Sequence, residues 1–141
     1  MGTAAGHFLS GCYGMSGSWI KIETGFYDHP KVLQAGNDGA GLYVHALLYC
    51  GKHLTDGFVP LSFIKSLANK RLIEKVTASG LWRPVATGEL LNGGDLVARG
   101  DGFYIPDYLE YQYSKAEVLA LREERARAGR KGAERRWNKD E

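Results

Sequence analysis

The stretch that decides the fold is residues 55–82, which read TDGFVPLSFIKSLANKRLIEKVTASGLW. It opens with a Thr-Asp-Gly turn signal, and the Phe-Val pair that follows suffices for one short strand rung. Apolar residues then recur at helical spacing, and their phase changes after Asn69. The first run is Leu61, Ile64, Leu67 and Ala68, and the second is Leu72, Val76 and Leu81. Two helices joined by so short a break predict a helix-turn-helix, in which residues 61–80 form a tight corner.

A glycine-rich hairpin is predicted to follow the corner. Residues 82–85 and 103–105 have the character of two strand arms, and five glycines lie in the long loop between them. Within that loop, residues 90–91 and 96–98 favour a third short strand. Helix, turn, helix and hairpin in this order predict an α+β fold, a winged helix-turn-helix with a helical core and a small antiparallel β-hairpin wing. A basic C-terminal helix is predicted to follow it.

The residues before the corner predict a strand and two helices. Residues 18–23 (SWIKIE) alternate polar and apolar side chains, which is typical of a strand. The Asp-His-Pro sequence at 28–30 marks a helix start, and this short helix is expected to end near residues 36–37. Asp38 is then expected to cap a second helix, whose density of apolar side chains predicts that it forms the centre of the core.

Composition along the chain indicates the domain boundaries. Residues 1–17 hold five glycines and no apolar periodicity, which predicts a flexible lead with Met15 as an alternative start to Met1. Residues 18–113 are assigned to the winged-helix domain. Residues 114–141 are assigned to a basic C-terminal helix and tail, which opens with the capping-box sequence SKAE.

Length, composition and charge are those of an ordinary globular chain. Its 141 residues suffice for one domain with a core, and no apolar run approaches the roughly 20 residues of a membrane span. The two cysteines do not make a disulfide framework and no secretory signal is expected, so a cytoplasmic location is predicted, with Cys50 a buried thiol. The net charge is only +2, yet residues 115–141 hold nine Lys and Arg against six Asp and Glu, which favours contact with phosphate.

Several short motifs follow one another in an order found in one group of proteins. They are WIK at 19–21, HPKV at 29–32, LTDGFVP at 54–60, GLW at 80–82 and YIPDYLEYQ at 104–112. Over residues 18–136 the chain resembles small winged-helix proteins of actinobacterial phages and prophages, and the N-terminal domain of phage replisome-organiser or replication-initiation proteins. The basic segment GRKGAERRW at 129–137 is similar to one common in such proteins. The resemblance implies a DNA-binding domain used in phage replication or regulation, with double-stranded DNA as its partner.

The predicted DNA contacts come from three surfaces. In a helix-turn-helix the second helix lies in the major groove, where Lys and Arg pair with guanine edges and Asn pairs with adenine. Its polar side chains are therefore expected to point outward. The wing adds arginines, opposed by Glu89, Asp95 and Asp101, and the tail adds phosphate contacts. The candidates are Asn69, Lys70, Arg71, Lys75, Thr77 and Ser79 on the helix, Arg83 and Arg99 in the wing, and Arg125, Arg130, Lys131, Arg135 and Arg136 in the tail.

Each of these surfaces has a plainer interpretation. Charged side chains often do no more than solvate a helix, and pairs such as Glu123 with Arg127 are common on soluble helices. The acidic wing and the C-terminal helix favour a second hypothesis, a non-enzymatic module that binds a host or phage replication protein, or pairs as a homodimer through that helix. Neither catalysis nor a cofactor is expected. Cys50, His53 and His45 on one helix cannot complete a tetrahedral zinc site, and the sequence contains no phosphate-binding glycine loop or nucleophile elbow.

Overall fold

The computed structural model describes residues 19–139, which adopt a mixed α+β fold. The helices are α1 (Pro30–His53), α2 (Leu61–Leu67), α3 (Lys70–Ser79), α4 (Tyr108–Tyr111) and α5 (Lys115–Lys139). The strands are β1 (Phe58–Pro60), β2 (Arg83–Val85), β3 (Leu90–Leu91), β4 (Leu96–Val97) and β5 (Gly102–Tyr104), with short 3₁₀ helices at Thr24–Asp28 and Asn92–Gly94. The predicted lead at 1–17 with its two starts, and the last two residues of the tail, lie outside the described residues.

Three strands form the central antiparallel sheet in the order β1-β5-β2. β5 lies in the middle, where Tyr104 is opposite Phe58 of β1 on one side and Arg83 of β2 on the other. All three residues of β5 are buried. The two predicted hairpin arms are thus confirmed as β2 and β5, and the predicted Phe-Val rung is confirmed as β1.

The predicted corner is confirmed as well, because α2 and α3 are separate helices rather than one rod. α2 ends where Ala68 takes an extended conformation, with φ −143° and ψ 152°. α3 begins after Asn69, whose side-chain oxygen accepts a 2.9 Å hydrogen bond from the N–H of Leu72. This cap satisfies one of the amides that the first turn leaves unpaired. Ile64 of α2 and Val76 of α3 are fully buried in the core.

α1 consists of two helical segments joined at a kink, as the predicted break near Gly36 requires. The break itself is confirmed, since Gly36 has φ 75° and ψ 173°, outside the helical region. Glycine reaches this positive φ without the Cβ clash that other residues meet. After the break, Asp38 accepts a hydrogen bond from the N–H of Gly39 at 2.8 Å. Buried side chains from Leu42 to Cys50 then continue the apolar stripe into the centre of the core, as predicted.

The strand predicted at 18–23 is wrong for its described part, residues 19–23, which pair with no described strand. The backbone of Lys21 is held by a side chain instead. Its N–H donates to Gln112 Oε1 at 2.9 Å, and its C=O accepts from Gln112 Nε2 at 2.6 Å. One glutamine amide thus makes the two hydrogen bonds that a neighbouring strand residue would make. The alternation in the sequence reflects the packing of Ile20 against the core and not a neighbouring strand.

The loop between β2 and β5 folds as a small unit of its own. Leu90 pairs with Val97 and Leu91 with Leu96, so the predicted third strand is a two-stranded ribbon separate from the central sheet. A second, smaller core lies beneath this ribbon and consists of Phe58, Val85, Leu91, Ala98 and Tyr104. The ribbon is therefore anchored to both β1 and β5.

α5 leaves the rest of the molecule within its first turns. Ser114 Oγ accepts from the N–H of Glu117 at 3.2 Å, as the capping box predicts. Asp56, in the turn before β1, adds a second cap by accepting from the N–H of Lys115 at 2.7 Å. Val118 is half-buried, and beyond it every large side chain up to the last described turn is exposed. The helix begins at a fixed point and then extends into solvent.

Gly102→Ala is expected to destabilise the fold strongly. A Cβ at this position of β5 collides with the backbone oxygen of Val59 in β1 and lies 3.1 Å from the backbone nitrogen of Leu61. Because β5 is hydrogen-bonded on both sides, we expect the free energy of unfolding, measured in urea, to fall by about 3 kcal/mol. Gly100→Ala is the matched control, since no described atom beyond its chain neighbours lies within 4 Å of its Cβ. A similar loss in both variants would contradict this account of the sheet.

Candidate nucleic-acid interface

The outward face of α3 begins with its first two residues. Lys70 and Arg71 are exposed, and 91% of the Lys70 side chain is accessible. The carboxylate of Glu74 lies 3.9 Å from Lys70 Nζ, and an ion pair this exposed holds the lysine only weakly. Asn69 precedes them and is exposed; its oxygen caps the helix, so its NH₂ group is the part available to a ligand. The other side of α3 packs on the core, as predicted, through Leu72, Ile73 and Val76.

Lys75 reaches α1, which corrects its predicted outward orientation. Its Nζ lies 2.6 Å from Oδ1 of Asp38, and 41% of its side chain is accessible. The side chain fits here because α1 has a glycine beside it: a Cβ at Gly36 would lie 2.9 Å from Lys75 Nζ. The hydrogen bond from Lys75, followed by the one from the N–H of Gly39, holds the pKa of Asp38 below its ordinary value. Lys75 therefore connects α3 to α1.

Thr77 and Ser79 are also directed at the protein. The Thr77 hydroxyl donates to the C=O of Ile73 at 2.8 Å and accepts from Nε1 of the buried Trp82 at 2.9 Å. Ser79 is buried, and its hydroxyl donates to the C=O of Val76 at 2.6 Å. The predicted outward orientation of these two residues is therefore wrong, because both hydroxyls are hydrogen-bonded within the fold.

The Arg83 side chain connects the loop between β2 and β5 to the central sheet. Its Nη1 lies 2.7 Å from Glu89 Oε1, and its guanidinium stands over the Tyr104 ring at 5.4 Å from the centroid. The hydrogen bond from Arg83, followed by the one from the N–H of Ala86, lowers the pKa of Glu89. Glu89 is thus paired with Arg83, so it is not an unpaired negative charge that would repel DNA.

Asp101, directly before β5, also forms hydrogen bonds within the loop between β2 and β5. It accepts from the N–H of Thr87 at 2.9 Å and from the Thr87 hydroxyl at 3.0 Å, and these bonds lower the pKa of the carboxyl group. Asp95 and Arg99 are exposed. Of the two arginines predicted to reach DNA from the wing, Arg99 extends into solvent and Arg83 is ion-paired.

The basic residues of α5 lie on two unlike faces. Successive residues of an α-helix are about 100° apart around its axis. In α5, one sector of about 140° around the axis contains no acidic residue of the helix. We call this sector the acid-free face; its cations are Lys115, Arg122, Arg125, Arg130 and Arg136. The opposite face carries all four glutamates of the helix together with Arg127, Lys131 and Arg135. On that face Arg127 lies 2.9 Å from Glu123, the pair expected from the sequence.

A groove of about 430 Å³ lies between the first turns of α5 and the body. Its lining includes Trp19, Lys21, Tyr113, Arg122 and Arg125, and none of the described residues that line it carries a carboxylate. Trp19 is 74% exposed, and Lys21 Nζ lies 4.6 Å from the centroid of the Tyr113 ring. We call this site the aromatic groove. The sequence did not reveal it because its members lie about a hundred residues apart; the only local signal was a tryptophan two residues from a lysine.

The residues considered for zinc are engaged separately. Cys50 is buried, as predicted; its Sγ donates to the C=O of Phe58 at 3.5 Å, and burial raises the pKa of the thiol to about 12. The ring of His53 packs on Tyr49, with 4.3 Å between centroids. Within residues 19–139, no group of three His, Cys, Asp or Glu side chains is arranged to hold a metal ion. None of the described helices combines the length and apolar character needed to cross a bilayer.

Comparisons with protein-family models, with curated protein sequences and with solved structures gave no match for this chain.

Thr77→Val is expected to lower the free energy of unfolding by about 1–2 kcal/mol. The substitution removes the hydroxyl that accepts from Nε1 of Trp82, a side chain only 1% exposed, so this N–H loses its partner on folding. Urea unfolding followed by tryptophan fluorescence measures the loss, and Thr77→Ser, which keeps the hydroxyl, is the control with the smaller effect. A loss of DNA affinity at unchanged stability would contradict this structural role and support the contact predicted from the sequence.

Proposed function

We propose that the chain is a DNA-binding winged-helix protein of phage or prophage type, acting in the cytoplasm in replication initiation or transcriptional regulation. The observation that carries the proposal is the exposure of Lys70 and Arg71 at the start of the second helix of a tight corner. In helix-turn-helix proteins this part of the second helix approaches base edges in the major groove. The buried opposite side of α3 would hold those two cations in place.

The order of elements and strands supports the winged-helix assignment. A helix, a short strand, a two-helix corner and a hairpin follow one another along the chain, and β1 joins the hairpin by pairing with β5. In this assignment the β3–β4 ribbon, which lies between β2 and β5 in the chain, would form the tip of the wing. The likeness of the sequence motifs to phage proteins supports the replication or regulatory setting.

Fewer of the α3 side chains are available for base contacts in the structure than the sequence predicts. Lys70, Arg71 and the NH₂ group of Asn69 are available for hydrogen bonds to guanine or adenine edges. Lys75 is bound to Asp38, and the hydroxyls of α3 are bonded within the fold. In the wing, exposed Arg99 is a better candidate for a backbone contact than Arg83, which would first have to leave its carboxylate partner.

The acid-free face of α5 supplies the phosphate contacts in this proposal. The helix is about 37 Å long, so its cations can follow a nucleic-acid backbone over several phosphates. A cation among glutamates attracts a phosphate less strongly, because the neighbouring negative charges offset it. Of the predicted tail contacts, Arg136 therefore ranks above Lys131, which has Glu134 three residues on; Arg130, at the edge of the acid-free face, has the same glutamate four residues on.

The probe is a DNA duplex selected from random sequence for binding to the wild-type protein. Lys70→Ala/Arg71→Ala is expected to weaken binding to it. The loss should be about 1–3 kcal/mol for each bidentate contact with a base that the substitutions remove. Fluorescence anisotropy at several salt concentrations measures the affinity. Lys52→Ala/Arg127→Ala is the matched control, because it removes two exposed cations outside α3. If the wild-type protein binds no duplex even at low salt, the proposed function is wrong.

A second pair of variants tests the two faces of α5. Arg130→Gln/Arg136→Gln should reduce the slope of log affinity against log salt by about 0.9 for each phosphate that the variant no longer neutralises. Lys131→Gln/Arg135→Gln removes the same charge from the opposite face and should change the slope much less. Equal changes would mean that the helix attracts DNA through its net charge alone.

A second candidate function is a protein-interaction module that binds a host or phage replication protein. The observation in its favour is a pair of apolar neighbours on the wing ribbon, since Leu90 is 64% exposed and Val97 opposite it is 49% exposed. Recovery of one stoichiometric partner, combined with no duplex binding, would select this function. A homodimer through α5 has less support, because no large apolar residue lies between Leu121 and Trp137 to form a coiled-coil seam.

A further inference from the structure

The aromatic groove and α3 meet α1 at different points along its length. α3 contacts α1 at Gly39, where a Cβ would lie 3.1 Å from Cγ2 of Val76. The groove meets α1 at Gly51, twelve residues later and therefore about 18 Å along the helix axis. The groove shares no residue with the outward face of α3. Any ligand that it holds is bound independently of the proposed recognition helix.

We propose that the aromatic groove binds an unpaired polynucleotide strand. In this arrangement a base stacks on the ring of Trp19, and Lys21 and Arg122 contact the flanking phosphates. A cationic groove that follows the backbone, combined with an exposed aromatic ring, is the usual means of binding single strands without reading their sequence. A volume of about 430 Å³ is within the range of sites that enclose a small ligand.

The exposure of Trp19 supports stacking as the mode of contact. The side chain is 74% exposed, although tryptophan has one of the largest apolar surfaces of any residue. A base laid on the indole would remove much of that surface from water and would be held without any hydrogen bond to its edges. Binding by this ring is therefore expected to tolerate any base.

Lys21 is held in position before a strand arrives. Its backbone is fixed at both polar groups by the amide of Gln112, and its ammonium group stands over the ring of Tyr113. A side chain that is already ordered loses little conformational entropy when it meets a phosphate. An ordered lysine therefore contributes more to binding than a lysine on a mobile segment would.

The charges of the groove favour a nucleic acid over other anionic partners. The described lining residues include Lys21 and Arg122 and carry no carboxylate, and Arg122 belongs to the acid-free face of α5. An acidic peptide would also neutralise them. It would leave the indole of Trp19 without a planar partner, whereas a nucleotide provides both the phosphate and the planar base.

The test is fluorescence anisotropy with labelled oligothymidylate and oligouridylate of about 12 nucleotides, a length within the site sizes of single-strand grooves. Trp19→Ala should weaken binding about 5- to 150-fold, the range found when a stacking ring is removed, and Trp19→Phe should recover most of the loss. Arg122→Gln should reduce the salt slope by about 0.7, the value for one contact to a single-stranded phosphate. The two oligonucleotides show whether DNA or RNA is the preferred strand.

The controls are Tyr27→Ala, which removes an equally exposed aromatic ring outside the groove, and Arg127→Gln, which removes the same charge from the opposite face of α5. Both should retain the wild-type affinity and salt slope. The proposal is overturned if neither oligonucleotide binds at low salt, if Trp19→Ala leaves the affinity unchanged, or if the controls lose as much as the groove variants. The duplex assay compares the wild-type protein with the α3 variant, which changes no groove residue, so the outcome of one assay does not decide the other.

Discussion

The close approach of α3 to α1 is the contact that decides which cations of α3 face solvent. Val76 is fully buried beside Gly39, where a Cβ would lie within 3.1 Å of it. Lys75, the neighbour of Val76 in the chain, is thereby brought to the edge of the contact and binds Asp38 across it. Lys70 and Arg71 precede Val76 by six and five residues, which places them about 120° and 140° from Val76 around the helix axis and away from the contact. One small-residue contact thus turns one cation toward α1 and leaves two exposed.

Features set by neighbouring residues could be predicted from the sequence. The corner was visible in the change of apolar phase after Asn69, and the break in α1 was visible at Gly36. The inward direction of Ser79 was also present in the pattern, because it lies three residues after Val76 and therefore on the same side of the helix. It was missed because all polar residues of the helix were assigned to the outside. Polarity is a weak guide at a helix end, where a hydroxyl can bond to the preceding turn.

Features set by distant residues could not be predicted in the same way. The alternation at 18–23 predicts a strand, but the backbone of Lys21 is bonded to the side chain of Gln112, and residues 19–23 pair with no described strand. The acidic residues of the wing suggested repulsion of DNA, yet Glu89 is paired with Arg83 and Asp101 bonds to Thr87. A count of charges along the chain includes such internal pairs. Only the fold separates them from charges that remain available to a ligand.

The position of α5 follows from a cap that lies far from it in the sequence. Asp56, with a positive φ of 55°, accepts from the N–H of Lys115, so the turn before β1 fixes the start of the helix. α5 has 25 residues, and its first turns are the part that contacts the rest of the molecule. The same anchored turns form one wall of the aromatic groove. The first turns of α5 are thus held in place by Asp56 and Ser114, and binding at the groove need not supply the free energy of positioning them.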